Sequence, residues 1–518
     1  MYKLTFLLFF ISVSLFAQNI EQTYRNPVIA GDLPDPTVIR VGDNYYAAGT
    51  TSEFAPGYPL FHSKDLVNWE RIGAVFNEHP AWIKGDCWAP ELYYNNGTYF
   101  VYYTARKKSD NISCIGVATT KDITKGFTDH GPLIEWGKEA IDAYIFKDDD
   151  DGKLYITWKA YGLEERPIEI LASELSSDGL SLKGEHFTLT DHTKGWIGRG
   201  DEGQCIVKRN GYYYHFYSIG GCCDNRCDYR VHVARAKSLR GEWEQYEPDA
   251  ILQGGKDWRC SGHGTLVQTP DNRYFYLYHA YNAYDFEYVG RQALLDELVW
   301  NDVTGWPYFK YGDTPTAQAP VPFKGTVQKR NIDFYDDFTI ADEEKDKYWQ
   351  WDMYLSKPLA EKTDGSLTVT NNKEGLAFRG INVQTGNYTM TTKVNAAGSN
   401  FKGLTIYGGF ENLYAWGVEG KDIKLFKLEK GQKTELYSAP FGNYQSIMLK
   451  AEAINARLYR FYWSVDETEW HIFPSGNQRV DITGLPQWGR GLRVGLLTEN
   501  NGKDNKAVFG YFNVENKY

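Results

Sequence analysis

Five short segments of the chain repeat one pattern at almost equal spacing, and this repetition constrains the fold more than any other feature. Each segment is an apolar strand, a polar turn and an aromatic strand, a pattern typical of a β-hairpin. The turn residues are Gly42, Gly97, Gly152, Gly211 and Asn272, which are separated by 55, 55, 59 and 61 residues. A nearly fixed period indicates an array of like units. We therefore predict a five-bladed β-propeller, in which radial repetition protects most strand edges.

The period stops after residue 312, and a different pattern follows. Residues 313–332 include the Pro-rich stretch 315–322 and are predicted to be an extended linker. Beyond residue 333, alternating segments such as 388–394 and 458–463 predict short antiparallel strands and hence a β-sandwich. The sequence thus predicts an all-β protein, with a propeller over residues 24–312 and a sandwich over residues 333–518.

The N-terminus indicates the location of the protein, and the net charge indicates the class of molecule that it binds. Residues 1–17 have the build of a secretory signal peptide, with Lys3 before an apolar run that ends at Ala17. No other apolar run reaches the length of a transmembrane helix. The formal net charge of −11 disfavours nucleic acid or an anionic membrane as a partner. We predict an exported protein, periplasmic or extracellular, that acts on a neutral substrate.

The seven cysteines all lie in the first 260 residues, where export permits disulfides. The odd count leaves at least one thiol free. Cys222, Cys223, Cys227 and Cys260 precede His263, but their spacing matches no standard zinc motif, so disulfides that staple the local loops are favoured over a zinc site.

Acidic residues recur near the start of the predicted inner strands. Asp35, Asp142 and Glu202 lie about seven to ten residues before the turns of their units, and His263 has the same place in the fifth unit. Glu91 is offset from this pattern. Because the first strand of each blade lines the central channel, these side chains are expected to converge on one axis. The alternative is that each acid caps a strand or binds loop amides, but repetition in three units favours a shared site.

Convergent carboxylates repel one another, and burial adds to the cost of ionising them. At least one of the three is therefore expected to keep its proton to higher pH. One ionised carboxylate that activates water and one protonated acid that expels an alkoxide are the minimal apparatus for glycoside hydrolysis. The pattern thus predicts a glycosidase site.

At these residues the chain resembles glycoside hydrolase family 43 over residues 24 to 312. From residue 333 it is similar to the concanavalin-like sandwich that is often appended to that family. The matching segments are Asn26-Pro-Val-Ile-Ala-Gly-Asp-Leu-Pro-Asp-Pro36, Trp88-Ala-Pro-Glu91, Ile141-Asp142, Glu202-Gly203 with Lys208-Arg-Asn-Gly-Tyr-Tyr-Tyr214, Gly262-His-Gly264 and Gly290-Arg291.

The resemblance implies roles for several residues. Asp35 would be the general base, Glu202 the general acid, and Asp142 the residue that raises the pKa of the acid and orients it. Arg291 would bind substrate hydroxyls or a carboxylate, with a structural ion pair as the alternative. His263 would approach a calcium or sodium ion in the channel, with a core histidine satisfied by the backbone as the alternative. No cofactor is expected to be required for the chemistry.

Three aromatic residues are further candidates for the substrate site. Trp88, Phe54 and Trp258 lie in connections near the predicted channel ends, where their rings could stack on a sugar face. The alternative is that they belong to the core, as most of the 16 Trp residues must.

The expected activity is that of an exo-acting, inverting glycosidase of plant polysaccharides such as xylan, or of oligosaccharides. It would remove terminal pentose as an α-L-arabinofuranosidase, a β-xylosidase or both. One alternative is a galactosidase or galactofuranosidase of the same fold, because specificity resides in loops. Another is a propeller that binds glycan without hydrolysing it. The oligomeric state is left open.

Overall fold

The computed structural model describes residues 22–161, 168–190, 201–247, 249–330, 332–340 and 343–517. These residues form 39 β-strands, one α-helix of four residues and one 3₁₀ helix. The predicted signal peptide lies outside them. No helix in the described ranges has the length and apolar character needed to cross a bilayer.

The N-terminal domain is the predicted five-bladed β-propeller, and each blade has four antiparallel strands. After β1 (Thr23–Arg25), the first blade and its insert comprise β2 (Thr37–Val41), β3 (Asn44–Ala48), β4 (Phe54–Ala55), β5 (Gly57–Ser63) and β6 (Glu70–Phe76). The second blade comprises β7 (Ile83–Asn95), β8 (Thr98–Lys107), β9 (Ser113–Thr120) and β10 (Thr128–Ile134). The third comprises β11 (Glu139–Lys147), β12 (Leu154–Tyr161), β13 (Glu169–Leu175) and β14 (Leu182–Thr190).

The last two blades follow the same plan. The fourth comprises β15 (Glu202–Arg209), β16 (Tyr212–Ile219), β17 (Arg230–Ala236) and β18 (Glu244–Gln245). The fifth comprises β19 (Trp258–Gln268), β20 (Tyr274–Asn282), α1 (Phe286–Val289), β21 (Arg291–Trp300) and β22 (Pro307–Phe309).

The five turns that define the sequence repeat each join the first two strands of a blade. All five turn residues have left-handed backbone, with φ of 62° at Gly42, 76° at Gly97, 70° at Gly152, 74° at Gly211 and 63° at Asn272. Glycine, and less often asparagine, adopts this conformation at little cost. The equal spacing in the sequence therefore reports the blade repeat, and the prediction of five blades is confirmed.

The first strands of the blades surround the channel. β2 contacts β7, β7 contacts β11, β11 contacts β15, β15 contacts β19, and β19 returns to β2. The N-terminal strand β1 pairs with β23 (Gln318–Pro320) after the fifth blade. β23 lies inside the stretch predicted to be an extended linker. Closure of the ring places the start of every inner strand around one axis.

The C-terminal domain is a β-sandwich of two antiparallel sheets. A 3₁₀ helix (Lys345–Tyr348) lies between its first two strands. In chain order the strands are β24 (Phe334–Asp336), β25 (Trp351–Asp352), β26 (Leu359–Thr363), β27 (Ser366–Thr370), β28 (Gly375–Asn382), β29 (Tyr388–Asn395), β30 (Lys402–Gly409), β31 (Asn412–Glu419), β32 (Asp422–Glu429), β33 (Gln432–Pro440), β34 (Ser446–Ile454), β35 (Leu458–Ser464), β36 (His471–Phe473), β37 (Val480–Asp481), β38 (Arg493–Asn500) and β39 (Lys506–Asn516).

The two sheets enclose the core of this domain. One sheet contains nine strands (β24, β26, β27, β29, β34 to β37 and β39), and the other contains six (β28, β30 to β33 and β38). Alternate residues of facing strands fill the space between them, as in other sandwiches. Trp416 is fully buried there, and its indole N–H donates to the carbonyl of Tyr462 over 3.0 Å.

A strand pairing and a buried ion pair connect the two domains. β25 of the sandwich pairs with β4 of the propeller. The carboxylate of Asp32 accepts a hydrogen bond from Arg493 Nη1 at 3.0 Å, and both side chains are at most 4 % exposed. The Arg493 guanidinium also lies 4.3 Å from the ring centroid of Phe54. Because this ion pair is buried, the domains are held in one arrangement by a contact that is costly to break.

Replacing Arg493 with Met would leave the buried Asp32 carboxylate without its ionic partner. We expect the free energy of unfolding to fall by about 3–5 kcal/mol, the usual cost of removing one member of a buried pair. Arg457→Met is the matched control, because Arg457 pairs with Asp481 at 3.5 Å on the surface. An exposed pair contributes about 1 kcal/mol or less. Denaturant unfolding measures both variants, and equal losses would contradict the expectation.

Candidate active site

Three carboxylates from three blades meet in the channel. Asp35 lies two residues before β2, Asp142 lies in β11, and Glu202 begins β15. Nδ1 of His263, on β19, lies 3.3 Å from Asp35 Oδ1 and 3.7 Å from Asp142 Oδ2. The Gly203 N–H, next to Glu202, donates to Asp142 Oδ2 over 3.2 Å. The structure therefore brings together the residues that were predicted to converge.

The backbone at these positions is unusual. Asp35, Asp142 and His263 have left-handed φ values of 53°, 57° and 42°. A side chain in this region costs of order 1–3 kcal/mol, and such residues cluster at functional sites. The pairing of β11, β15 and β19 with their neighbours is irregular at the same places. β-Bulges of this kind re-aim side chains and are frequent beside active sites.

Asp35 is buried among hydrogen-bond donors. Arg291 Nη1 donates to its Oδ1 at 2.8 Å, and Thr50 Oγ1 donates to its Oδ2 at 2.7 Å. His279 Nδ1 lies 3.2 Å from the same Oδ1 and accepts a hydrogen bond from the backbone N–H of Asp35 over 3.1 Å. Burial raises the pKa of Asp35, but Arg291, with His263 and His279, outweighs burial and holds that pKa well below its usual range. Asp35 is therefore ionised at neutral pH.

Asp142 has a different environment. Its oxygens receive the Gly203 amide, and its own N–H donates to Thr104 Oγ1 over 3.1 Å, but no lysine or arginine within the described ranges forms an ion pair with it. Burial, opposed by His263 and reinforced by the Glu202 carboxylate, raises the pKa of Asp142 to about 6. Asp142 is the member of the group that keeps its proton to higher pH.

Glu202 is held by a lysine. Lys159 Nζ lies 2.5 Å from Glu202 Oε2 and 3.0 Å from the hydroxyl of Tyr161. Burial alone would raise the pKa of Glu202, but the Lys159 ammonium outweighs it and lowers that pKa. In the free protein Glu202 is thus ionised, while its neighbour Asp142 carries the higher pKa.

His263 lies against a glycine that has no room for a side chain. A Cβ on Gly203 would lie 2.6 Å from His263 Cγ, and Gly203 has a φ of 58°. Among the described residues, no group of three or more His, Cys, Asp or Glu side chains is placed to hold a metal ion. His263 faces two carboxylates. A calcium or sodium ion near His263 stays a prediction.

The predicted substrate residues are distributed over two regions. Arg291 lies beside Asp35. Trp88, on β7, is partly exposed, with the Arg106 guanidinium 6.0 Å from its ring centroid. Phe54 is 1 % exposed and packs on rings of the sandwich, and Trp258 is 4 % exposed and lines a cavity between the two domains. The structure places Phe54 and Trp258 at the domain boundary.

Three residues of the site were missed by the sequence reasoning. Thr50 and His279 contact Asp35, and nothing in their local sequence distinguishes them. Lys159 offered a signal, because it is the one charged residue of β12. All residues of that strand except the last are buried. Lysine is almost never fully buried unless it is paired, so its place in such a strand pointed to an acidic partner.

The clustered cysteines form disulfides beside the site. Cys222 pairs with Cys223, and Cys227 pairs with Cys260 of β19. Cys222 Sγ lies 4.0 Å from Nη1 of Arg291. The predicted preference for loop disulfides over zinc agrees with this pairing, since all four thiols are used.

A loop of the sandwich completes the wall around Arg291. Arg291 Nη2 donates to the carbonyl of Gly489 over 3.3 Å, and the Gly489 N–H donates to the carbonyl of Cys223 over 2.8 Å. The next residue, Arg490, forms an ion pair with Glu53 of the propeller. The C-terminal domain therefore contributes directly to the setting of the guanidinium that holds Asp35.

Comparison with family models gives two matches. Residues 24–307, more than half of the chain, match the model described as Glycosyl hydrolases family 43. Residues 356–515 match the model described as Beta xylosidase C-terminal Concanavalin A-like domain.

Comparison with individual proteins also finds glycosidases. The Xylan 1,3-beta-xylosidase of a Vibrio species is 30 % identical over 333 residues, which cover 58 % of this chain and 60 % of that protein, less than two thirds of its length. The Non-reducing end alpha-L-arabinofuranosidase of Bacteroides ovatus is 26 % identical over 420 residues, covering 75 % of this chain and 74 % of that protein. The crystal structure of the GH43 protein BlXynB of Bacillus licheniformis has a TM-score of 0.80 at 23 % identity, covering 96 % of this chain and 100 % of that one, and so shares the fold.

The raised pKa of Asp142 makes stability depend on pH. The folded protein keeps this proton up to about pH 6, whereas the unfolded chain releases it near 3.8. Between these values the folded state binds more protons, so the free energy of unfolding falls as the pH rises, by up to about 3 kcal/mol. We expect Asp142→Asn to remove this fall and to unfold at higher denaturant than the wild type at pH 7.5.

The comparison is made at pH 4 and pH 7.5. Asp302→Asn, on an exposed turn, controls for loss of a carboxyl group. If Asp142→Asn and the wild type show the same change in stability between the two pH values, the raised pKa is refuted.

Proposed function

The chain belongs to glycoside hydrolase family 43, and on the site described above we propose that it is an exo-acting glycosidase that inverts the anomeric centre. It would release terminal pentose from plant polysaccharides such as xylan, or from oligosaccharides, as a β-xylosidase, an α-L-arabinofuranosidase or both. The names of the Vibrio and Bacteroides relatives support this substrate class. We propose also that it is exported, on the basis of residues 1–17.

One observation carries the proposal: Asp35 and Asp142 face the same imidazole, but the pKa of Asp35 is held well below its usual range while that of Asp142 is raised to about 6. An inverting glycosidase needs an ionised carboxylate on one side of the scissile bond and a proton source on the other. Below about pH 6 the buried site thus contains both forms.

In the proposed reaction Asp35 acts as general base. Its carboxylate accepts a proton from water as the water oxygen attacks the anomeric carbon. Arg291 and Thr50 each bind one of the two carboxylate oxygens and so orient the base. By keeping the pKa of Asp35 low, Arg291 ensures that the base is ionised throughout the working range, at some cost in basicity.

Glu202 would donate the proton that the leaving oxygen receives. In the free site it is paired with Lys159, so we propose that substrate binding weakens this pair and that the proton held on Asp142 passes to Glu202. The carboxylate of Glu202 suits this role because its side chain is 16 % exposed, whereas that of Asp142 is 7 % exposed. The bond from the anomeric carbon to the leaving oxygen breaks as this proton is transferred.

Removal of either proton-transfer group tests the assignment. We expect Asp35→Asn and Glu202→Gln each to lower kcat on aryl β-D-xylopyranoside and aryl α-L-arabinofuranoside by about 10²- to 10⁴-fold. Circular dichroism checks that the fold is retained. Glu242→Gln, on the exposed surface of the fourth blade, is the matched control and should keep wild-type activity. Activity within threefold of wild type in either site variant would refute its role.

Proton NMR of the first product anomer tests the stereochemistry on the same substrates. Inversion is expected, because Asp35 activates water and forms no bond to the sugar. Retention would refute the base assignment and leave the family membership untouched.

The same set of substrates separates the alternatives. Turnover of an aryl galactoside or galactofuranoside, with none of the pentosides, would favour the galactose-directed enzyme. Binding of an oligosaccharide without release of sugar from any substrate would favour a glycan-binding propeller.

The role of Lys159 predicts a change in the pH profile. In Lys159→Met the ammonium that favours ionised Glu202 is absent, so the pKa of Glu202 rises and the acid keeps its proton to higher pH. We expect the high-pH limb of kcat/KM to move upward by at least half a pH unit. Lys159→Arg retains the charge and should leave the limb close to its wild-type position. An unchanged limb in Lys159→Met would show that Lys159 does not set the protonation of the acid.

A further inference from the structure

A cavity of about 410 Å³ lies where the propeller meets the sandwich. None of the three carboxylates of the active site lines it. Its walls come from both domains and include Trp69, Arg71, Trp258 and Gln292 of the propeller and Asn382 and Gln384 of the sandwich. It is therefore a separate site, and it contains Trp258, one of the aromatic residues predicted to stack on a sugar.

Arg71 is the unusual member of this wall. It is 5 % exposed, and its Nε and Nη2 atoms have no hydrogen-bond partner in the part of the chain that the structure describes. The guanidinium carbon lies 5.7 Å from the ring centroid of Tyr348. A buried charge without an opposite charge is costly, and buried charges in proteins are normally paired. An anion in the cavity would supply the missing partner.

Two other buried arginines have ionic partners, which supports an anion as the missing partner of Arg71. Arg291 is paired with Asp35, and Arg493 is paired with Asp32. Burial lowers the pKa of Arg71 to about 10, and Arg493 nearby adds to that effect.

The charge around the cavity also favours an anion. Its lining contains four basic side chains and two acidic ones, although the whole chain has a net charge of −11. The basic residues are Arg71, Lys329, Arg330 and Lys345. Burial raises the pKa of Asp285, one of the two acids.

The remaining wall is suited to a sugar. The indole rings of Trp69 and Trp258 offer flat apolar surfaces for the C–H face of a pyranose. Asn382 Oδ1 is buried without a hydrogen-bond partner in the described ranges, while its Nδ2 donates to the carbonyl of Asp32 over 2.9 Å. A sugar hydroxyl could donate to that free oxygen.

We propose that this cavity is a second saccharide site, and that it takes a sugar acid whose carboxylate pairs with Arg71 while its ring lies among the two indoles and the Asn382 amide. The guanidinium fork binds a carboxylate through two parallel hydrogen bonds. The inference rests on the proposed carbohydrate function only for the sugar character of the ligand. It gives the enzyme a means of holding an acidic branch of its polysaccharide apart from the bond that it cleaves.

Isothermal titration calorimetry with sodium D-glucuronate, D-xylose and inorganic phosphate tests the proposal on the full-length protein. The Asp35→Asn variant is titrated first, because it removes turnover and perturbs the active site only. We expect glucuronate to bind it with the wild-type affinity, and at least about tenfold more tightly than phosphate. Loss of glucuronate binding in Asp35→Asn would place the ligand in the active site and overturn the proposal, as would equal affinity for phosphate.

Arg71→Met then removes the guanidinium. We expect glucuronate affinity to fall at least about tenfold, and thermal stability to stay equal to or above that of the wild type, since an unpaired buried cation is lost. Arg40→Met, at an exposed position near the end of β2, is the matched control and should bind as the wild type does. Unchanged affinity in Arg71→Met would overturn the proposal. Aryl pentosidase activity of the wild type, measured in parallel, tests the proposed function separately.

Discussion

Charge balance on the channel axis is the constraint on which the site depends. Three carboxylates are brought into a buried space where like charges repel and ionisation is costly. The cations are not shared equally: Arg291 pairs with Asp35 and Lys159 pairs with Glu202, whereas Asp142 contacts an imidazole and an amide. This unequal distribution separates the protonation states of three acids that the fold places in equivalent positions.

The sandwich takes part in that balance. Arg291 has several donors, and the pairing with Asp35 uses only one of its Nη atoms. The other Nη atom donates to the carbonyl of Gly489, which belongs to the C-terminal domain. The buried pair of Asp32 and Arg493 fixes the position of that domain. The two-domain arrangement is therefore part of how the base is kept ionised and oriented, since a propeller alone would leave this guanidinium less constrained.

The domain boundary contains two buried arginines that differ in their ionic partners. Arg493 is held there by Asp32, whereas Arg71 in the same boundary faces the ring of Tyr348 and has no ion pair within the described ranges. The difference is informative because desolvation penalises both guanidinium groups. A boundary that served packing alone would have little reason to retain a cation of this kind beside a cavity lined by indoles and amides.

Local patterns in the sequence were enough to predict the blades and the converging acids. Turn residues and strand alternation can be recognised within a few residues, and their recurrence every 55–61 residues counts the blades. Once the ring closes, the starts of the inner strands, with Asp35, Asp142 and Glu202, lie around one axis. The sequence alone did not reveal that Lys159 would lower the pKa of Glu202, or that Trp258 would face the second domain. Those features depend on contacts between residues tens to hundreds of positions apart. Only the packing of blade on blade and domain on domain decides which charge meets which, because no local pattern encodes such distances.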